Sequence, residues 1–90
     1  MSVTVKIPTQ LRAATGGNPE LVAEGGTVGA VLDSVFSEHG DLRDRITQEG
    51  ELRRFVNVYV GGEDIRFGDG LDTAVSDGSE VTILPAVAGG

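Results

Sequence analysis

Apolar and polar side chains alternate along residues 2–7, which is the pattern of a strand with one buried face. The residues predicted to face the core are Val3, Val5 and Ile7. Pro8 ends this strand because it has no backbone N–H. Residues 20–24 form a weaker strand candidate that would close a hairpin with the first. The intervening residues 9–19, which contain glycines and a proline, are predicted to form a loop.

An amphipathic helix is predicted over residues 28–39, because apolar residues recur there at intervals of three and four. The stripe consists of Val28, Val31, Leu32, Val35 and Phe36. Thr27 is a suitable N-cap, since its hydroxyl accepts a hydrogen bond from a free N–H of the first turn. His39 in the last turn and Gly40 just beyond it are typical of a helix C-terminus. A second short helix is predicted from Asp41. Its apolar side consists of Leu42 and Ile46.

The second half of the chain is predicted to contain three strands. Residues 54–60 form the strongest of them, residues 61–62 are glycines that suit a tight hairpin turn, and residues 63–67 return as a short edge strand. Residues 80–84 form the last strand, which Pro85 ends. The side chains predicted to face the helix are Val56, Val58, Val60, Val81 and Ile83. One main helix covering a mixed sheet is an α+β fold with two layers.

The composition narrows the classes of function. The 90-residue chain has 14 acidic and 7 basic residues, and its net charge of −7 opposes binding to nucleic acid or to an anionic membrane. The absence of cysteine excludes disulfides, thiolate metal sites and cysteine nucleophiles. His39 is the single histidine and no catalytic triad can be assembled, so the folded part is predicted not to be an enzyme. No signal peptide or membrane-spanning run is apparent, and the predicted location is the cytoplasm.

The last five residues, 86–90, directly follow the last predicted strand and carry no charged or bulky side chain. An extended segment of this length reaches about 17 Å, enough to enter the active site of another protein. Gly89 has no Cβ and fits a narrow channel, and Gly90 presents a carboxylate. The residues predicted to thread into the channel are Val87, Ala88 and Gly89. Condensation of the carboxylate with ATP would give an acyl-adenylate, from which a sulfur donor would displace AMP and leave a thiocarboxylate.

The ending Glu-Val-Thr-Ile-Leu-Pro-Ala-Val-Ala-Gly-Gly and the order of elements resemble the ubiquitin-like sulfur carriers of the ThiS/MoaD family. Residues 54–67 and 77–85 are most similar to the CysO-like carriers, and the resemblance extends over essentially the whole chain. It implies a β-grasp (ubiquitin-like) domain over residues 1–85, followed by a flexible Gly-Gly tail at residues 86–90.

The resemblance also implies the partners of the protein. An E1-like enzyme would adenylate Gly90 with ATP and install sulfur, and a synthase would then accept the sulfur. For CysO-like members that acceptor is a PLP-dependent cysteine synthase, after which a metallopeptidase releases the product. Other members of the family supply sulfur for thiamin, molybdopterin, thiolated tRNA or thiosugars. ATP, PLP and the metal would belong to the partner enzymes, so no cofactor is expected on this chain.

The alternation of the strands predicts a docking surface as well. If the valines face the helix, Phe55, Tyr59 and Leu84 face outward beside the start of the tail. An exposed apolar cluster at this place would suit binding to the activating enzyme. Alternatively, these residues are ordinary exposed surface, or residues 9–19 cover them.

Three other functions share these features. A ubiquitin-like modifier would use the same activation to join Gly90 to lysines of other proteins, although Lys6 is the only lysine in this chain. A small subunit of a molybdopterin-synthase-like complex would keep its tail inside a larger partner. A plain binding module would carry the tail without using it.

Overall fold

The computed structural model describes residues 2–49, 51–53 and 56–85. Five strands form one mixed sheet in the order β2-β1-β7-β5-β6, in which β1 and β7 are parallel and the other neighbours are antiparallel. The strands of this sheet are β1 (Ser2–Lys6), β2 (Glu20–Glu24), β5 (Val56–Val60), β6 (Glu63–Asp64) and β7 (Glu80–Pro85). A second, antiparallel pair consists of β3 (Thr47–Gln48) and β4 (Glu51–Leu52).

Two α-helices are present in the described part of the chain, α1 (Val28–Glu38) and α2 (Gly40–Ile46). The hydroxyl of Thr27 accepts a hydrogen bond from the N–H of Ala30 at 3.2 Å, which confirms the predicted N-cap. The helix α1 ends one residue earlier than predicted. His39 separates the two helices, and α2 begins at Gly40 rather than Asp41.

The core lies between the helices and one face of the sheet. Its members on the sheet side are Val3, Val5, Ile7, Val56, Val58, Val81 and Ile83, and its members on the helices are Val28, Val31, Leu32, Val35, Leu42 and Ile46. All of these side chains are at most 2% exposed, and Val60 packs against them while partly buried. The predicted faces of the strands and helices, and the two-layer α+β fold, are therefore confirmed.

The turn between β5 and β6 requires glycine. Gly61 and Gly62 have φ angles of 58° and 88°, a region in which residues with a Cβ are strained. Two consecutive residues of positive φ form the type of two-residue turn whose twist matches that of the flanking strands. The predicted glycine hairpin is confirmed.

Residues 9–19 differ from the predicted loop, because Thr9–Thr15 form a 3₁₀ helix. Leu11 and Ala14, three positions apart, share its buried side, as expected of a helix with three residues per turn. This helix packs against α2. The hydroxyl of Thr15 donates a hydrogen bond to the carbonyl of Asn18 at 3.0 Å, which closes the segment before β2.

The predicted edge strand over residues 63–67 is too long. The strand β6 ends at Asp64, and Ile65–Phe67 form a short 3₁₀ helix, followed by another at Gly70–Asp72. The carboxylate of Asp64 accepts a hydrogen bond from the N–H of Arg66 at 2.8 Å, which starts the first of these turns. Ile65 thereby enters the core, where it is 4% exposed. The predicted strand over 54–60 is confirmed from Val56 onward, and residues 54 and 55 lie outside the described residues.

Candidate functional site

The strand that leads to the tail, β7, is the central strand of the sheet. It pairs in parallel with β1 through Val5 and Val81, and antiparallel with β5 along its length, as far as Val56 and Pro85. The side chains of Val81 and Ile83 are fully buried beneath the helices. Pairing on both sides as far as Thr82, pairing with β5 as far as Pro85, and burial on one face fix the position of this strand. The predicted tail residues lie outside the described residues: Val87, Ala88, Gly89 and Gly90.

Two of the three predicted docking residues, Tyr59 and Leu84, lie on the face of the sheet opposite the helices, which we call the open face. Tyr59 is directly opposite Thr82, and Leu84 is two positions further along β7, so Tyr59 and Leu84 are diagonal neighbours. Leu84 is 45% exposed and Tyr59 is partly buried. The third predicted member, Phe55, lies outside the described residues. The structure thus brings Tyr59 and Leu84 together next to the last described residue of β7.

A further aromatic side chain, which was not predicted from the sequence to be part of the site, lies in a groove with Tyr59. Phe67 is 92% exposed, and it lines a shallow groove with Tyr59, Glu63 and Asp64. In a strand Phe67 would share the buried face of Ile65, two positions earlier. In a 3₁₀ helix, side chains two positions apart point about 120° apart. Phe67 therefore faces solvent, and Tyr59, Phe67 and Leu84 form a set that we call the outer patch.

Arg66 holds the edge of the sheet together beside the outer patch. Its guanidinium donates hydrogen bonds to the carbonyl of Val56 at 2.7 Å and to Oδ1 of Asn57 at 3.0 Å. A longer contact of 3.4 Å reaches the carbonyl of Arg53. Since Asn57 is opposite Leu84 and Val56 is opposite Pro85, Arg66 fixes the segment that supports the end of β7. These bonds could not be predicted from the sequence, because they depend on the turn after β6.

The alternative that residues 9–19 cover Tyr59 and Leu84 does not hold. The 3₁₀ helix of this segment packs against α2 and contributes Leu11 and Ala14 to the core beneath the sheet. It therefore lies on the helix side of the molecule, and both Leu84 on the open face and Phe67 in the groove with Tyr59 are exposed.

Acidic groups dominate the charge around the open face. Glu63 and Asp64 line the groove beside Phe67. The ammonium of Lys6 lies 3.6 Å from the carboxylate of Glu20 and 3.8 Å from that of Glu80, so one cation is shared by two anions. These exposed ion pairs contribute little to stability. The surplus of acidic groups, which gives the chain a net charge of −7, produces a negative electrostatic field at the surface.

Three further observations concern metal binding, membrane spans and the single histidine. Over residues 2–49, 51–53 and 56–85, no three His, Cys, Asp or Glu side chains are grouped so as to hold a metal ion. In the same part of the chain, no helix has the length and apolar character needed to cross a membrane. His39 is a junction residue, since its N–H donates to the carbonyl of Val35 at 2.9 Å.

Comparison with known proteins adds a family relationship to this geometry. Residues 5–90 match the model of the ThiS family. The sulfur carrier protein CysO of Mycobacterium tuberculosis is 50% identical over 93 aligned positions, which cover the full length of both chains. The match therefore includes the residues outside the described structure, and it agrees with the prediction of a carrier rather than an enzyme.

Two solved structures share the fold over nearly their whole length. A chain in the crystal structure of the Amycolatopsis orientalis BexX/CysO complex is 52% identical, with a TM-score of 0.90 over 98% of this chain and 99% of that chain. Small archaeal modifier protein 1 of Methanosarcina acetivorans is 35% identical, with a TM-score of 0.89 over 99% and 96%. The sheet and main helix are thus those of ubiquitin-like carriers, and the predicted β-grasp fold is confirmed.

Proposed function

Because this chain belongs to the ThiS family and is a sulfur carrier protein of the CysO type, we propose that it carries sulfur as a thiocarboxylate on Gly90. The observation that carries the proposal is the full-length relationship to a named sulfur carrier, together with a central strand that leads directly to a Gly-Gly ending. A carrier needs a stable body and a slim reactive end, and these two parts are adjacent in this chain.

The proposed chemistry converts an unreactive carboxylate into a sulfur donor. The Gly90 carboxylate attacks the α-phosphorus of ATP, pyrophosphate leaves, and an acyl-adenylate forms. A hydrosulfide equivalent then attacks the carbonyl carbon, the bond to AMP breaks, and a thiocarboxylate remains. An E1-like partner enzyme supplies the catalytic groups and binds ATP. The carrier supplies the acyl group alone, which agrees with the absence of a cysteine or a catalytic triad from its sequence.

The fold supports this chemistry by fixing the point where the tail begins. Hydrogen bonds to β1 and β5 hold β7, and Arg66 braces the adjacent end of β5. Five residues beyond Pro85, fully extended, place Gly90 about 17 Å from this fixed point. Glycine at positions 89 and 90 keeps the reacting end free of side chains, so it passes through a channel that excludes bulky groups.

We propose that the activating enzyme binds the outer patch of Tyr59, Phe67 and Leu84, with Phe55 as a further contact. Exposed apolar side chains next to the base of the tail favour a partner that covers them while the tail reaches the active site. Glu63 and Asp64 border the patch, so the matching surface of the partner should carry Lys or Arg. Charge of this kind mainly raises the association rate and selects the partner.

The proposed acceptor is a PLP-dependent cysteine synthase, and a metallopeptidase then releases the product. This step rests on the likeness to CysO and on the predicted CysO-like motifs. A CysO chain is also known in complex with BexX, which supports the proposal that this chain acts by binding a partner protein. ATP, PLP and metal belong to these partners, and all of the steps are proposed to take place in the cytoplasm.

A second candidate function is protein modification through Gly90. It is favoured by the likeness to small archaeal modifier protein 1, at 35% identity. In this case the acyl group would pass to the lysine amine of another protein, with AMP as the leaving group. Lys6 is the only lysine of the chain, and two carboxylates already neighbour it. Single attachment is therefore favoured over chains of copies.

The test is a reconstituted reaction followed by intact-mass measurement. The protein is incubated with the E1-like enzyme of its own organism, ATP and a sulfide donor. The expected product has gained the mass difference between sulfur and oxygen, located at Gly90 by fragmentation. Deletion of Gly90 and the substitution Gly89→Val should abolish or strongly slow the reaction, whereas Gly26→Ala, a glycine change in an open turn, should not. A product that forms equally well without Gly90 would refute the proposal.

A further inference from the structure

The outer edge of the sheet at β2 is a second surface, separate from the tail and the outer patch. Among the described residues β2 pairs only with β1, and it therefore has one unpaired edge. Such an edge presents unpaired N–H and C=O groups, which proteins commonly blunt or cover. The directions of the hydrogen bonds show which residues face outward from this edge.

The backbone groups of Glu20, Val22 and Glu24 point away from the sheet. On β1, Ser2 and Thr4 bond toward the β7 side, since the Thr4 N–H donates to the Ser79 carbonyl at 3.0 Å and the Ser2 carbonyl accepts from Gly78 at 2.8 Å. The alternate residues of β1 must then bond to β2, where they are opposite Leu21 and Ala23. The remaining residues of β2 turn their N–H and C=O groups outward.

The same three residues carry the side chains that β2 displays on the open face. Val22 is 73% exposed, and a glutamate stands two positions away on each side. The Glu20 carboxylate pairs with Lys6, whose ammonium also pairs with the carboxylate of Glu80. No ion pair involves Glu24 among the described residues. The edge therefore combines unpaired backbone groups, one apolar side chain and two acidic ones.

We propose that the outer edge of β2 binds an extended segment of a partner protein in which an apolar residue stands between two basic residues, in the pattern basic-x-apolar-x-basic. Such a segment would continue the sheet by backbone hydrogen bonds, while its alternate side chains oppose Glu20, Val22 and Glu24. The order glutamate, valine, glutamate along β2 is the same in both chain directions. A basic-x-apolar-x-basic segment therefore matches it whether the segment runs parallel or antiparallel to β2.

A second copy of this chain does not fit the edge. If two β2 strands pair about Val22, a glutamate faces a glutamate in either orientation, and like charges directly opposite destabilise a sheet. With a net charge of −7 on each molecule the repulsion extends over the whole surface. The two glutamates thus act against self-pairing, and they favour a basic partner.

The location of this edge allows two partners to bind at once. Two strand spacings, about 10 Å, separate β2 from β7, which carries Leu84, and three spacings, about 14 Å, separate it from β5, which carries Tyr59. The outer patch, on β5, on β7 and just after β6, stays accessible while a segment occupies the β2 edge. Binding to the edge is therefore independent of the sulfur-carrier proposal, and it is tested without ATP or the activating enzyme.

The test uses synthetic peptides and amide chemical shifts measured by NMR on the full chain. A peptide containing Lys-Thr-Val-Thr-Lys should perturb the amides of β2 most strongly, whereas one containing Glu-Thr-Val-Thr-Glu should not bind. The substitution Val22→Pro removes one outward N–H and leaves the hydrogen bonds between β2 and β1 in place. It should weaken binding about tenfold or more, because one hydrogen bond to the peptide is lost and the proline ring obstructs the edge. The matched control Val22→Thr keeps the N–H and should bind within about twofold to threefold.

A charge reversal provides a second, independent variant. Because Glu20 and Glu24 are exposed, the double change Glu20→Lys and Glu24→Lys should cost little stability, although a lysine at position 20 would stand opposite Lys6. It should exchange the preference, so that the Glu peptide binds and the Lys peptide does not. Equal binding of both peptides to the native chain would overturn the proposal. So would perturbations centred on the helices or the outer patch, or a preference unchanged by the charge reversal.

Discussion

Truncation of Leu84 tests whether the outer patch binds the activating enzyme. Complete burial of a leucine side chain contributes about 1.5–3 kcal/mol. Leu84 is 45% exposed in the free protein, so its full burial by the partner would contribute about 45% of that value, or about 0.7–1.4 kcal/mol. This free energy corresponds to a change of about threefold to tenfold in Kd. We expect Leu84→Ala to weaken binding of the carrier to its E1-like enzyme by this factor, measured by calorimetric titration without ATP.

Leu71 provides the matched control. It is 37% exposed, similar to Leu84, but it lies on the helix side in a groove with Leu32 and Phe36. Leu71→Ala removes the same atoms from the opposite side of the molecule, and it should change the Kd by less than about twofold. Urea unfolding of both variants verifies that they are folded in the titration. Equal losses for the two variants, or no loss for Leu84→Ala, would refute the proposed role of the open face.

Three further predictions concern the scaffold, each measured as the free energy of unfolding in urea. A Cβ on Gly25 would lie 2.8 Å from the backbone nitrogen of Val31, so Gly25→Ala should destabilise the protein by about 1–3 kcal/mol. The adjacent change Gly26→Ala is the control, because a Cβ there meets nothing within 4 Å, and it should be neutral or slightly stabilising. Equal effects of the two changes would contradict the packing of the turn before α1. Arg66→Lys should cost about 1–2 kcal/mol, because one ammonium cannot replace the bonds to Val56 and Asn57; a neutral result would show that the guanidinium does not brace β5. Leu42→Ala, at a fully buried position, should cost about 2–5 kcal/mol, and a loss below about 1 kcal/mol would place α2 outside the core.

The sequence predicted the elements whose period is strong and whose ends carry chemical signals. The alternation of Val3, Val5 and Ile7 located β1 and its buried face. Thr27 marked the start of α1, and the glycine pair at 61–62 marked the hairpin turn, because each supplies a hydrogen bond or a φ angle that few residues provide. The placement of Leu84 on the open face followed from the same alternation.

The short 3₁₀ helices could not be predicted in this way. A segment as short as Ile65–Phe67 has too few residues to show a helical period, and its sequence is equally consistent with a strand. The side chains of Ile65 and Phe67 point in different directions only because the Asp64 carboxylate starts a turn there. The exposure of Phe67 and the bonds of Arg66 depend on that turn, so both parts of the site required the structure. Likewise, the 3₁₀ helix at Thr9–Thr15 is stabilised by packing on α2, which local sequence does not encode.

The most direct test of sulfur carriage is alkylation of the protein isolated from its own cells. Because the chain contains no cysteine, a thiol-specific alkylating reagent has no side-chain thiol to modify, and a thiocarboxylate becomes the expected target. Cells are lysed into the reagent, and the purified carrier is analysed by intact mass and fragmentation. We predict one alkyl group on sulfur at Gly90, lost when the gene for the E1-like enzyme is deleted. An unmodified Gly90 carboxylate in every molecule, with and without that enzyme, would contradict the proposal.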